Sequence, residues 1–590
     1  MGKTPLFAAL TRRLRLELQK RRLASGSHTS VQVSRAEALE NRRAFLRLSG
    51  AALATAVLPS ALAACGDDSI VTPGEETIAI IGAGIAGLHC AHRLKQAGIV
   101  ATVYEALDRV GGRMFTGRGT FPEDAAQYCE LGGELIDTNH ATLFALADEF
   151  GIALDDRFSA ELEPDGISRE LYFVNGAVVP EATIVEQFGE VAGLMAAAYD
   201  AAETDDTAFE TLDNTSLDAW LVENVPVATY PELHAILQTA YRGEFGLEND
   251  RQSVLNFIYL VGYDTPDEFR IFGASDERWH THLGNDTFTT ALANALDEGQ
   301  IALEHSLVRA SGSAGSYELE FATPNGNVTV QATRIVLALP FSVLRGVDLT
   351  GLELGAEKSE VIAGLSYGTN SKVMLGFTSK VWRETHQTSG SMTTDLGVQQ
   401  TWETTIGQDG AHGILTNFLG GDQGVASGSG TPEAWAAGVL PNLETIWPGM
   451  TAAFTGTAVR MHWPTVPTAL GSYTCYEPGQ WAFYGLEGER DGNVHFCGEH
   501  TSLDFQGWME GAAESGGLVA AEIFDELGVA KPQALVAVLG LKLHMPQSTY
   551  RASELSRLNP FARRRIVRER LAEVAKLVRE LRAIEAASAP

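Results

Sequence analysis

The stretch from Thr77 to Glu105 constrains the fold more than any other part of this 590-residue chain. It opens with Thr77-Ile78-Ala79-Ile80-Ile81, a β-branched run of the kind that forms a buried parallel strand. Gly82-Ala83-Gly84-Ile85-Ala86-Gly87 comes next, followed by a helix-forming stretch. Gly82 suits the tight turn, Gly84 lets the backbone approach a pyrophosphate, and Gly87 lets the helix pack on the sheet. The amides of the helix start, at Ile85 and Ala86, would face the anion. A second strand, Val100 to Tyr104, leads to Glu105 and Ala106, and the acid stands roughly twenty residues past the first glycine, where it can accept ribose hydroxyls. Alone, GxGxxG also fits a tight turn in an unrelated loop. In the order strand, glycines, helix, strand and acid, it predicts a Rossmann-like unit that binds an adenosine dinucleotide, without choosing between NAD and FAD.

Further blocks bear on that choice. Asp108-Arg109-Val110-Gly111-Gly112-Arg113 pairs two glycines, which permit close backbone approach, with Arg113, which can neutralise a phosphate. A strand-like segment carries Glu130-Leu131-Gly132-Gly133-Glu134-Leu135-Ile136-Asp137. Far along the chain stand Val494-His495-Phe496-Cys497-Gly498-Glu499-His500-Thr501 and Phe505-Gln506-Gly507-Trp508-Met509-Glu510-Gly511-Ala512, the latter opening a helix expected to run to about Glu526. Together these resemble the flavin amine oxidase family of monoamine, polyamine and L-amino-acid oxidases. The resemblance implies FAD, with Gly132, Gly133, Glu134 and Leu135 beside the flavin, Glu499 on a ribityl hydroxyl, and helix amides near Met509 facing the pyrimidine end of the ring. Gly284-Asn285-Asp286, Ser306-Leu307-Val308 and Ile335-Val336-Leu337-Ala338-Leu339-Pro340 are similar to the middle of the family's FAD domain, Val308 being the position whose backbone contacts adenine in relatives. The likeness covers about Thr77 to Glu526.

The cofactor blocks are separated, so the expected fold is α/β: a discontinuous Rossmann-like FAD-binding domain with an inserted mixed α+β substrate domain. The FAD-binding parts are expected at 77–154, 280–348 and 464–528. The substrate parts are expected at 155–279, read as helical through Glu181 to Glu203 and a proline-interrupted Leu217 to Leu247, and at 349–463, read as strands and Gly/Ser-rich loops.

Ser371-Lys372-Val373-Met374-Leu375 resembles the family strand whose lysine reaches flavin N5 through a water, which makes Lys372 the candidate for that role; the plain alternative is a solvated lysine on a strand. Leu470 to Gly479 resembles the block lining the far face of the flavin. Tyr473 and Trp508 match the aromatic pair that aligns the amine in monoamine oxidases, against the alternative of two core aromatics. Where those enzymes place the cysteine that bonds the flavin, this chain has Ser472, and Cys475 aligns less well, so FAD is expected to be held non-covalently. L-Amino-acid oxidases carry an arginine for the substrate carboxylate near the second Gly-Gly strand; here stand Glu134 and Leu135. The expected reaction takes a hydride from the carbon beside an amine nitrogen to the flavin, gives an imine that hydrolyses, and uses dioxygen to return hydrogen peroxide. The alternatives are an L-amino-acid oxidase, an amine dehydrogenase with another acceptor, and a flavoprotein binding module without turnover.

Composition removes other classes. With 43 Lys plus Arg against 75 Asp plus Glu, a net charge of -32 disfavours a nucleic-acid partner. Five cysteines without a CxxC pair and fourteen histidines without HExxH predict neither a disulfide scaffold nor a metal site. Residues 1–65 read as an address. Asn41-Arg42-Arg43-Ala44-Phe45-Leu46-Arg47 precedes an apolar stretch ending at Leu62-Ala63-Ala64-Cys65, a twin-arginine signal with a lipobox-like end. Lipidation at Cys65 is the reading, with a small-residue cleavage site as the alternative, and a permanent spanning helix is disfavoured by the shortness of the run. The expected destination is the periplasm or cell envelope. The long stretch before the arginine pair points to a start codon further downstream. Residues 66–76 form a linker. In the basic extension 529–590, Val567, Leu571, Val574, Val578 and Leu581 fall on one helical stripe, read as packing on the same subunit ahead of self-association or membrane contact.

Overall fold

The computed structural model describes residues 76–164, 166–261 and 275–539, together with Asn559 and Phe561. The arginine pair, Cys65 and the 567–581 stripe lie outside the described residues. No helix among the described residues is long and apolar enough to cross a membrane.

A five-stranded parallel sheet organises the cofactor half. Its order is Val494–Phe496, Arg334–Leu337, Ile78–Ile81, Ala101–Tyr104, Ile301–Ala302, so three distant stretches of chain supply one sheet. The central strand is buried throughout, which explains its unbroken apolar run. Alternation divides its side chains between two layers. Ile78 and Ile80 pack with Leu88, Ala91 and Ile523 of the helices Ile85–Gln96 and Met509–Leu527, while Ala79 and Ile81 join the core of the opposite layer with Leu319 and Phe321. That layer contains an antiparallel array, Ser306–Ser313, Ser316–Thr323 and Gly326–Ala332, with Asp348–Leu352 added in parallel. The two helices approach so closely that a Cβ on Gly516 would lie 2.1 Å from the Ala86 carbonyl oxygen. The second helix stops at Gly528, whose φ of 63° is the left-handed turn that terminates helices.

The inserted material forms a seven-stranded sheet in which Ser371–Phe377 and Gly413–Leu419 are buried along their whole length. Helices Glu181–Thr204 and Pro231–Phe245 pack nearby, the latter begun by Pro231, which explains the proline interruption seen in the sequence. The segment 155–279 is not helical throughout: Leu171–Val174 and Ala177–Val178 form a hairpin on the edge of this sheet, in parallel contact with Met392–Thr394. Its turn is Asn175-Gly176, with φ of 55° and 78°, the left-handed pair that a two-residue hairpin requires.

Candidate functional site

One elongated cavity runs from the glycine turn after the central strand to the inserted sheet, and residues from both ends of the chain line it. At one end Gly82 has φ 107° and a Cβ there would meet the Ala338 carbonyl oxygen at 2.6 Å; a Cβ on Gly87 would lie 2.1 Å from the Gly82 oxygen. Gly84 differs, because nothing stands within 4 Å of the place its Cβ would take. The turn is therefore packed against protein at Gly82 and Gly87 and left open at Gly84, as a bound diphosphate needs. Ile85 and Ala86 begin the helix beyond it, and Gly111 bridges to Gly84. Glu105 is buried and accepts the Ala83 and Leu107 amides at 2.7 and 3.0 Å; burial pushes its carboxyl up. A carboxylate has further lone pairs, so ribose hydroxyls can still be accepted there. Ala106 and Gly112 line the same cavity. Val308 itself does not line it, although Ser306 and Leu307 do. It sits at a β-bulge, skipped in the register between Leu307 and Arg309.

The middle of the cavity is tied by Arg113 and Glu499. The guanidinium donates to Glu499 Oε1 at 3.0 Å and to the Ser472 carbonyl at 2.7 Å, so the arginine expected at a phosphate is held by protein groups from the far end of the chain. Glu499 Oε2 accepts the Gly507 amide at 2.8 Å and the Thr474 hydroxyl at 3.2 Å. Gly132 and Gly133 allow two close approaches: a Cβ would lie 1.8 Å from the Arg113 carbonyl oxygen in the first and 2.7 Å from Met509 Cγ in the second. Leu135 is buried beside them, and Met509 opens the helix Met509–Leu527 with Trp508 at its cap position.

The inserted sheet delivers Lys372. Its strand alternates, so Val373, Leu375 and Phe377 join one apolar layer while Met374 packs with Cys129 and Leu131 on the face Lys372 shares. The ammonium bonds Glu134 Oε2 at 2.6 Å, the Glu130 carbonyl at 2.8 Å and the Gly132 carbonyl at 3.0 Å. These three oxygens match its three protons, and the side chain is buried rather than solvated. Burial alone would push the Glu134 carboxyl up, but the ammonium charge and hydrogen bonds from Lys372 and Thr404 outweigh it and hold the group below its ordinary range. Trp402, which sequence reasoning missed, lies with its ring 5.4 Å from the ammonium. Its strand, Gln399–Glu403, lies in the insertion and has no motif, so nothing local announced it.

Tyr473 and Trp508 also line the cavity. The Tyr473 hydroxyl donates to the Glu244 carbonyl at 2.6 Å, and a Cβ on Gly507 would sit 3.2 Å from its ring. The Trp508 ring meets His140 edge-on at 5.4 Å. Ser472 donates to Asn370 Oδ1 at 2.6 Å, whereas Cys475 is buried away from the cavity with its thiol pushed up by burial. Among the described residues, His495, Glu522 and Glu526 cluster as metal ligands do, but Arg334 and Arg490 already pair with those carboxylates, and their charge opposes a cation. A second buried network lies beyond the cavity: Glu487 accepts the Tyr476 hydroxyl and the Gly485 amide, and burial pushes its carboxyl up to about 7. An acid raised above its unfolded value of about 4.3 stabilises the fold fully below that value, and the contribution is lost as pH rises through its folded value. Melting temperatures at pH 5 and pH 8 should therefore fall more in the native chain than in Glu487→Gln.

The protein-family model for flavin containing amine oxidoreductases matches residues 85–524. An L-amino-acid oxidase of Siganus canaliculatus is 23% identical over 457 residues, covering 74% of this chain and 83% of that protein. A putrescine oxidase of Kocuria rosea is 29% identical over 302 residues, 45% of this chain and 57% of its own length. In structure, cyclohexylamine oxidase from Brevibacterium oxydans IH-35A superposes with a TM-score of 0.66 at 23% identity, over 77% of this chain and 99% of that one, a likeness of fold.

Proposed function

The chain belongs to the flavin-containing amine oxidoreductase family, and from that premise we propose that it is an oxidase of amines that lack a carboxylate beside the reacting carbon. FAD is the family's cofactor, and the open place at Gly84 among otherwise crowded glycines fits a dinucleotide. Bound there, FAD would accept a hydride from the carbon beside the amine nitrogen, leave an imine to hydrolyse, and pass the electrons to dioxygen to give hydrogen peroxide.

The observation that carries the substrate class is the charge balance of the cavity. Among its described lining residues, Lys372 is paired with Glu134 and Arg113 with Glu499, so neither arginine nor lysine is left for a substrate carboxylate. A carboxylate beside Glu134 would meet like charge and lose its water without gaining a partner, which costs several kcal/mol. An amine N–H finds an acceptor in Glu134, whose oxygens retain lone pairs beyond those taken by Lys372 and Thr404. Trp402, Tyr473 and Trp508 supply aromatic walls that exclude water and restrict the pose of the nitrogen. Ser472 cannot make the thioether a cysteine would, so the cofactor is held without a covalent bond.

Anaerobic titration of the FAD-loaded protein decides the matter. Primary amines and diamines should bleach the flavin, while the α-amino acids of the same side chains should reduce it at least about 100-fold more slowly, an energy gap of about 2.7 kcal/mol. Equal reduction by both sets would sink the substrate class, and acid precipitation should leave the yellow colour in the supernatant.

We further propose that the folded, cofactor-loaded chain leaves the cytoplasm by the twin-arginine route and is lipid-anchored at Cys65, on the strength of the order arginine pair, apolar run, small residues and cysteine. Arg42→Lys combined with Arg43→Lys should then trap active protein in the cytoplasm; unchanged distribution on cell fractionation refutes the route.

A further inference from the structure

Within the C-terminal extension, Leu535 joins the core of the cofactor half and, farther along, Asn559 and Phe561 meet the body of the protein. Phe561 is fully buried, although Gly528 already ends the helix after which the family likeness stops. Its ring enters a socket made by Tyr199 at 5.1 Å, Tyr259 at 5.4 Å, Trp481 at 5.9 Å and Phe209 at 6.0 Å between centroids. Two residues earlier, Asn559 donates to Asp206 at 2.6 Å, so a polar contact accompanies the apolar plug. Two walls of that socket lead to the active site. The Tyr259 hydroxyl shares a 2.5 Å bond with Tyr484, and the Tyr484 hydroxyl donates to the Leu503 carbonyl at 2.5 Å. Trp481 donates to Asn256 at 2.9 Å, Asn256 donates to the Tyr476 carbonyl at 2.8 Å, and Gln506 donates to the Tyr476 hydroxyl at 2.7 Å. Leu503 and Gln506 thus fasten the short segment that ends in Gly507, bonded to Glu499, and Trp508, on the cavity wall.

We propose that Phe561 is a positioning residue: seated in the aromatic socket, it makes the C-terminal extension part of the active site by holding Tyr259 and Trp481 where they fix the Leu503–Trp508 segment. The physical reason is that interdigitated rings have few alternative packings, so emptying the socket lets Tyr259 and Trp481 shift, and an aromatic wall displaced by a fraction of an ångström spoils a near-attack pose. The idea rests on the reading above that Trp508 borders the substrate.

Its test uses the full-length, FAD-loaded protein. Phe561→Ala should keep the flavin-to-protein ratio but slow amine-dependent flavin reduction about tenfold. Phe561→Leu, which refills most of the socket, should recover to within about threefold of the native rate. Tyr259→Phe keeps the ring and removes only the hydroxyl bond, and should reproduce the slowing. Native reduction rates in Phe561→Ala overturn the proposal. If that variant does not fold, native rates in both Phe561→Leu and Tyr259→Phe overturn it. Should no amine reduce the native protein, the substrate reading fails first; the anchor is then judged by visible circular dichroism of the bound flavin, which Tyr259→Phe should alter if the Trp508 segment moves, and an unaltered band refutes it.

Discussion

Gly132→Ala is expected to yield a chain that neither folds stably nor retains FAD. The added methyl would stand 1.8 Å from the Arg113 carbonyl oxygen and 2.8 Å from its carbon, both backbone atoms that cannot rotate away. Relief requires moving apart two segments joined by the Gly133 amide bond to that same oxygen, and it disturbs the Gly132 carbonyl that receives Lys372. Forced overpacking of this kind costs about 3 kcal/mol, a large fraction of the stability of an ordinary domain. Gly84→Ala makes the control. Its backbone is extended at φ -70°, nothing lies within 4 Å of the new methyl, and the unloaded chain should lose less than about 1 kcal/mol. That methyl instead fills space left for the diphosphate, so its effect should appear as weaker FAD retention. Urea melts of the unloaded proteins and flavin-to-protein ratios of the loaded ones separate the two outcomes; equal melts for both variants contradict the packing argument.

Lys372→Met should be nearly as damaging, for an electrostatic reason. The native ammonium and the Glu134 carboxylate are about 5–6% exposed and neutralise each other. Removing the cation leaves a buried carboxylate with Thr404 as its remaining side-chain donor, a defect that costs about 3–5 kcal/mol or forces Glu134 to take up a proton. Flavin reduction by amines and reoxidation by dioxygen should both slow, the latter by about 100-fold if the ammonium charge assists electron transfer to oxygen. Adding Glu134→Gln to Lys372→Met should restore part of the stability, because the stranded charge is gone. A double variant that melts below the sum of the single losses contradicts the pair as the source. Stopped-flow reoxidation gives the second readout, and a native rate in Lys372→Met assigns the lysine a structural role alone.

Several parts of the fold and of the site were legible in the residues. The run Ile78–Ile81, the glycine turn and Glu105 declare themselves because a parallel strand, a positive-φ turn and a helix start each need particular residue types at fixed spacing. The helix Glu181–Thr204 was legible within a residue at its end. The Asn175-Gly176 hairpin was also written locally, in the apolar runs Leu171–Val174 and Ala177–Val178 on either side of the Asn-Gly pair, but the longer helical signal that follows it dominates the segment. Trp402 could not be anticipated, since its strand Gln399–Glu403 carries no motif and an aromatic residue in a buried strand is most often core.

Local patterns therefore determined the dinucleotide turn and the three-part construction of its sheet, and the resemblance they carry pointed to the family. Which charges meet was decided by tertiary structure alone. Lys372 and Glu134 are 238 residues apart, Thr404 reaches the same carboxylate across 270, and the Phe561 ring closes on helices far upstream. Turn and strand preferences are properties of neighbours along the chain, whereas the neutrality of a buried site depends on which distant segments share a dry space, and no spacing in the sequence encodes that.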